Sequence, residues 1–299
     1  MFHTALLLDI MDSRKLDRQD RASVQHFARR CLQDLNALFR PSLAFDVMFS
    51  AGDEMQGLFR DTGAAYLYYR LLKLLLAPLT LRCGVGVGDW DVRVPDGTSA
   101  EQDGPAYHRA RLALEQAHET AGNAVLLHTG GPFDPPLNAM LQTAACLAGK
   151  QSLVQTDTHL LVELLVPLLD GQAMDAAAFV SVGARLSDRD QIPYFAAARS
   201  GRQLLPDKLA DQLARQEPLR IYEPAVRRSE LQFATTLRKG IAARLADITG
   251  TTRQNSDNIL RKADIQTLRT IDLAILHVIR HNHRGDSDEP DSADRPFRR

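Results

Sequence analysis

Cysteine is scarce in this chain of 299 residues: Cys31, Cys83 and Cys146 are odd in number, widely spaced and free of any CxxC pattern. That excludes a disulfide framework and makes thiolate metal ligation improbable, and it fits reduced, structural thiols. Charge of one sign is also lacking, since 36 Lys or Arg nearly balance 37 Asp or Glu, so the net charge of -1 identifies no partner for the chain as a whole. Long apolar runs are missing too. The longest candidate, Leu71 to Leu79, is interrupted by Lys73 and Pro78, which excludes a membrane-spanning helix. The first residues lack the charged and apolar regions of a signal peptide, so the expectation is a soluble, cytoplasmic protein with no membrane partner. A hydrophobic fraction of 44% is globular, and the length suits two domains.

What is present is organised around Phe49 to Phe59, FSAGDEMQGLF. Apolar residues flank a turn at Ala51 and Gly52, which reads as a β-hairpin with Asp53 and Glu54 at its tip. The first ten residues supply a second strand, Ala5 to Leu8, ending in Asp9 and Ile10. Two strand ends can bring Asp9 and Asp53 together. Close carboxylates repel unless one is protonated or a cation lies between them, and hard oxygen ligands suit Mg²⁺ or Mn²⁺. A magnesium–nucleotide site is the sharp reading; acidic decoration of a strand end and a turn is the plain one.

The surrounding pattern is β, α, β, β, α, β. A helix capped by Asp12 or Ser13 carries Val24, Phe27, Ala28, Cys31, Leu32, Leu35 and Leu38 on one face and is closed by Pro41. Strands at 43–49 and 54–59 follow, then a helix over 62–76 with Tyr66, Leu67, Tyr69, Leu72 and Leu75 inward. The strand at 79–87 sets apolar residues against Arg82, Gly84, Gly86 and Gly88, and glycines on one face admit another backbone or a ligand. This order predicts an α+β fold, ferredoxin-like or palm, with helices on one face of an antiparallel sheet over residues 1–130. Residues 89–102 read as a flap or hairpin. A helix follows from Asp103, its cap, to Glu119, then a strand from Ala124 to His128 and a linker over 130–136.

Taken together, DIMDSRKLDR at 9–18, AGDEMQGLF at 51–59, LRCGVGVGD at 81–89 and DGPAYHRAR at 103–111 resemble the SatD family, roughly to Leu141. More distantly the same order is similar to class III nucleotidyl cyclases and diguanylate cyclases. That resemblance implies up to two metal ions held by Asp9 and Asp53, with the Ile10 carbonyl as a further ligand and Glu54 beside them. It implies a nucleoside triphosphate as ligand, a homodimer, and an arginine at Arg111 that would face transition-state charge. Tyr107 falls where class III cyclases carry an asparagine, and AGDEM replaces the double glycine and phenylalanine of diguanylate cyclases. Binding features are kept, whereas those of cyclisation are altered. Candidate nucleotide contacts are Ser13, Arg14, Gly52, Arg82, Tyr107, His108 and Arg111. Each has a plainer role: Ser13 and Arg14 as local caps and pairs, Arg82 as a surface pair, His108 as a hydrogen-bonded surface residue, and Arg111 as part of a solvated helix face.

The second half reads as all-α. Residues 137–214 form a helical region with apolar-periodic segments at 137–147 and 158–169; helices flank a turn at 186–189, a pattern taken as ordinary packing and at most a degenerate helix-turn-helix. Residues 215–280 carry a stronger candidate at Ile241 to Ile265. There one helix ends at Gly250 with Ala246 four residues before, and Thr251 or Thr252 caps the next. That helix would present Thr252, Arg253, Gln254, Asn255, Asn258 and Arg261 to DNA while Ile259 packs inward; Ser256 takes a position where an aliphatic residue is expected. Eleven Lys or Arg against six Asp or Glu over 215–270 give a local excess of five positive charges, which favours nucleic acid, with a protein-interaction bundle as the alternative reading. Arg220 to Arg238 supplies an arm or a preceding helix. A final amphipathic helix spans 267–279, and residues 281–299 read as a disordered tail. Two functions follow: a nucleotide- and metal-responsive DNA-binding transcriptional regulator, or an active nucleotidyl cyclase or nucleotidyltransferase that releases pyrophosphate.

Overall fold

The computed structural model describes residues 2–119, 125–198, 204–229 and 231–284. Five strands, β1 (His3–Ile10), β2 (Leu43–Ala51), β3 (Glu54–Phe59), β4 (Leu81–Gly88) and β5 (Val125–His128), form one mixed sheet in the order β2-β3-β1-β4-β5. All pairings are antiparallel except β4 with β5, which is parallel. The fold is therefore α+β with a mixed sheet, and the fully antiparallel expectation fails at this added edge strand. Ala124 lies outside the described residues.

Alternation along β1 divides the core. Leu6, Leu8 and Ile10 face α1 (Arg18–Leu38) and α2 (Thr62–Leu76), whereas Ala5 and Leu7 face α3 (Pro105–His118). Helices thus cover both faces. The predicted apolar face of α1 is buried as read, but its cap is Asp17, which accepts from the Asp20 amide, because Ser13 to Lys15 form a separate 3₁₀ turn. The α3 cap is Gly104 at φ +147°, not Asp103, whose carboxylate instead accepts from the Gly104 amide at 2.8 Å. The expected flap, 89–102, folds back: Val92 bridges Asp103, and Gln56 Nε2 donates to the Ser99 carbonyl at 2.6 Å.

The glycine stripe explains how α3 lies on the sheet. A Cβ on Gly84 or Gly86 would fall well inside contact distance of the α3 backbone, against Ala110 and Leu114 or Ala106 and Ala110. Steps of two along β4 match steps of four along α3, so the close approach is by helix backbone. Gly86→Ala is therefore expected to destabilise the fold by about 3 kcal/mol, read as a lower denaturant midpoint. A midpoint unchanged within error would contradict this packing.

Beyond β5 the chain is mainly helical: α4 (Asp134–Gly149), α5 (Leu153–Leu165), α6 (Phe179–Asp190), α7 (Pro193–Ala198), α8 (Pro206–Leu213), α9 (Ile241–Thr249), α10 (Arg253–Lys262) and α11 (Ile265–Arg284). The predicted linker is shorter than expected, since α4 takes in Asp134 and both following prolines within its first turn. The turn expected at 186–189 lies inside α6, and the break comes at Gln191 and Ile192 instead. The described residues of 215–238 hold a short strand pair (Arg227–Ser229 with Gln232–Phe233), a strand at Leu219–Arg220 that pairs with Leu168–Leu169, and a 3₁₀ turn, rather than a preceding helix. The last helix runs to Arg284, four residues into the expected tail; 285–299 lie outside the described residues.

One apolar cluster joins α1 and α2 to α5, α9 and α11. For that reason α2 is buried on nearly every side, not along a single face. At its centre Arg70 of α2 donates to both oxygens of Glu163 of α5, at 2.9 and 2.7 Å, and to Asp272 of α11 at 2.5 Å. Arg269 Nη1 lies 2.6 Å from Glu163 and is fully buried. No helix among the described residues is long and apolar enough to cross a membrane.

Candidate functional site

The carboxylates meet where β1 ends. Asp9 is the register partner of Glu54 on one side and of Arg82 on the other, so these three side chains share the α3 face of the sheet. The β2–β3 turn sets Asp53 beside them, with Gly52 at φ +60° supplying the left-handed residue that the turn requires. Ser13 Oγ, on the 3₁₀ turn after β1, donates to Asp53 Oδ2.

Cations come from the helix above. Arg111 grips Glu54 with both nitrogens, at 2.9 and 3.1 Å. One further turn along the α3 register, beyond Leu114 opposite Gly84, lies His118; Arg82 Nη1 is 2.8 Å from its Nδ1, and its Nε2 is 4.0 Å from Asp9. Arg82 Nε is buried without a hydrogen-bond partner among the described residues. Burial raises the Asp9 pKa above the usual carboxylate range, and the charge of Asp53 raises it further, outweighing His118 and Arg82. The cluster thus carries partly uncompensated negative charge beside a cationic rim.

Several expected nucleotide contacts lie elsewhere. Tyr107 is buried against Ala5, Leu7 and Leu58, with its hydroxyl 3.1 Å from Ser99 Oγ, so packing against the sheet centre takes it away from the carboxylates. His108 pairs with Asp103 at 3.1 Å on the exposed side of α3. Arg14 contributes its carbonyl to Arg21, and Ile10 turns its side chain into the opposite core. No sequence motif singles out His118. Counting in fours from Ala110 and Leu114 along the glycine stripe would have reached it.

Among the described residues no group of three or more His, Cys, Asp or Glu is arranged to hold a metal ion. With Glu54 engaged by Arg111, the acidic set is Asp9 and Asp53. A pair still fits Mg²⁺, which keeps several waters and is commonly bound by one or two carboxylates together with substrate phosphates.

A second candidate surface lies on α9 and α10. Gly250 adopts φ +63° between them, and its amide returns to the Ala246 carbonyl. Thr252 caps α10 by accepting from the Asn255 amide at 3.1 Å. Ser256 is buried as expected, its hydroxyl 3.3 Å from that of Thr251, while Leu260 is buried more completely than Ile259. Thr252, Arg253, Gln254, Asn258 and Arg261 are exposed and Asn255 half-buried. Arg253, Gln254 and Arg261 line a groove of about 740 Å³ together with Arg238 and the start of α9. Not all of the regional positive charge faces solvent: Arg269 is buried on Glu163, and Arg244 bonds Gln212, Glu217 and the Arg215 carbonyl.

The model of the SatD family matches residues 3–166, from β1 through α5. No curated protein matches the sequence.

Proposed function

The chain belongs to the SatD family, and from that premise we propose that it is a cytoplasmic, DNA-binding transcriptional regulator responsive to a metal–nucleotide complex. The observation that carries this reading is the pairing of half-buried Asp9 with Asp53, inside a rim formed by Arg82 and Arg111. A divalent cation relieves the repulsion of the two carboxylates. Nucleotide phosphates compete with His118 for Arg82 Nη1 and with Glu54 for Arg111. In this reading the β1–β4 order, with β3 between β1 and β2, corresponds to a ferredoxin-like palm, and residues 1–130 are the sensing domain. Asp9 and Asp53 hold the ion, with the Ile10 carbonyl as a further donor; Ser13 orients Asp53, and Gly52 leaves the turn open.

Residues 137–214 connect this unit to a helix-turn-helix within 215–280, in which α10 is the reading helix. Exposed Arg253 and Gln254 have the donor and acceptor geometry that base edges require, and the α10 N-terminus suits phosphate. A homodimer would match paired half-sites. Binding of the full chain to duplex DNA from its own promoter region, followed by fluorescence anisotropy at 50 and 200 mM salt, tests this directly. The expected result is affinity that falls steeply with salt and drops about tenfold in Arg253→Ala. Salt-independent or undetectable binding would sink the proposal. Catalytic pyrophosphate release is the weaker alternative, because buried Tyr107 stands where a cyclase has its asparagine.

A further inference from the structure

At the opposite end of the sheet from Asp9, the start of β1 and the ends of β4 and β5 enclose a second cavity of about 680 Å³. Its walls are mainly apolar: Val87, Leu127, Leu137 and Ile279 form the body, and Phe2 and Phe133 stand about half exposed at the mouth. Two exposed phenylalanines at the lip of one cavity are apolar surface that a bound molecule would cover. The polar groups narrow its chemistry. The Thr62 hydroxyl is 2.7 Å from that of Thr4, and the Thr129 hydroxyl donates to Asp134 at 2.6 Å, so both are committed. The Gly130 and Gly131 amides are also taken, by Asp134 and by the Thr129 hydroxyl. Asp89 and His281 are exposed at the rim.

Arg109 is different. Its Nη1 donates to the Val87 carbonyl at 2.5 Å, continuing the β4 ladder where β5 turns away. Its guanidinium packs against Gly130, where φ is +80° and an added Cβ would lie 3.1 to 3.5 Å from three of its atoms. The planar cation is thereby fixed at the cavity wall with one hydrogen bond made among the described residues and further N–H groups to offer.

We propose that this cavity is a second ligand site, distinct from the carboxylate cluster, that takes a small amphipathic organic acid: a carboxylate on Arg109 and an apolar body against Val87, Leu127, Leu137 and Ile279. Guanidinium and carboxylate match in plane and charge, and the volume lies in the range of small-molecule pockets. Ile279 and His281 belong to α11, the helix that directly follows α10, so a ligand here bridges the sheet and that helix.

The test uses the full chain and decanoate, below its micelle concentration, in titration calorimetry, with decanol as the same apolar body lacking the carboxylate. The expected result is saturable binding of one decanoate per chain, at least tenfold weaker binding of decanol, and loss of decanoate binding in Leu137→Trp, which fills the cavity. Arg109→Gln should weaken decanoate to the level of decanol. Equal binding of decanoate and decanol to the unsubstituted protein would overturn the proposal without recourse to any variant that might fold poorly. Undetectable decanoate binding, or binding that persists in a folded Leu137→Trp variant, would overturn it equally.

Discussion

Asp53→Ala is expected to weaken binding of ATP or GTP with Mg²⁺ by roughly 100-fold or more, because it removes one of two carboxylates available to the ion. Asp9 is half-buried and already destabilised as an anion by burial and by Asp53. Removing Asp53 therefore lowers the Asp9 pKa toward its ordinary value while halving the charge that attracts the cation. The nucleotide without metal should bind weakly to both forms, since Arg111 is held by Glu54 and Arg82 by His118. Calorimetry with and without Mg²⁺ separates these contributions. Equal metal-dependent affinity in wild type and Asp53→Ala would remove Asp53 from the site. The pH dependence has a definite sign: a raised carboxyl pKa means that protons compete with metal at higher pH than for an ordinary Asp, so affinity should begin to fall earlier on acidification.

Glu163→Ala should cost about 3–5 kcal/mol of stability, the scale for removing one partner from a buried ion network. Glu163 is almost fully buried and is the common acceptor for Arg70 and Arg269. Its loss leaves Arg269 without its carboxylate and Arg70 with Asp272 alone. Burial opposes ionisation of Glu163, but Arg269 and Arg70 outweigh it and hold its pKa well below the usual range. A depressed carboxyl pKa contributes stability that is present above the unfolded value, roughly 4, and is lost as pH falls through the folded one. His159, 3.4 Å from Glu163, adds an effect at milder pH: burial, outweighing that carboxylate, lowers its pKa. The unfolded chain therefore binds this proton first, and stability should begin to decline as pH falls below about 6.5. Chemical denaturation of wild type and Glu163→Ala between pH 4 and 8 checks both statements. A stability difference under about 1 kcal/mol at pH 7 would contradict the role assigned to the network.

Legibility of the chain followed the range of the interactions. Asp9 and Asp53 could be related from sequence because both sit where a strand or hairpin ends, and the β1–β3 register carries them to one place. The glycine stripe of β4 was equally readable as a demand for close approach, although only the packed chain shows that the α3 backbone meets it. The α9–Gly250–α10 boundary followed from capping chemistry local to a few residues. What escaped depends on distant partners. Nothing near Tyr107 indicated that Ser99 and the sheet centre would claim its ring and hydroxyl. Periodicity gave α2 one apolar face, whereas α5 and α11, far along the chain, cover the remainder. The ion network joins residues separated by as many as 202 positions, beyond the reach of any local pattern. Its local traces were pairs such as His159 and Glu163, four apart in α5, and Arg269 and Asp272, three apart in α11.

That network also connects α2, which follows the β3 strand of the carboxylate cluster, to α11, which follows α10. It gives the proposed sensor and reader a packed physical link, and its bearing on function reduces to linkage: metal–nucleotide and DNA must each alter the affinity of the other by the same factor. The decisive measurement is the affinity of the full chain for its promoter DNA with and without saturating Mg²⁺–nucleotide, at one fixed salt concentration. The account predicts a change of about 5- to 150-fold, in the range of ordinary allosteric coupling, that vanishes in Asp53→Ala. Identical DNA affinity with and without bound Mg²⁺–nucleotide would contradict it.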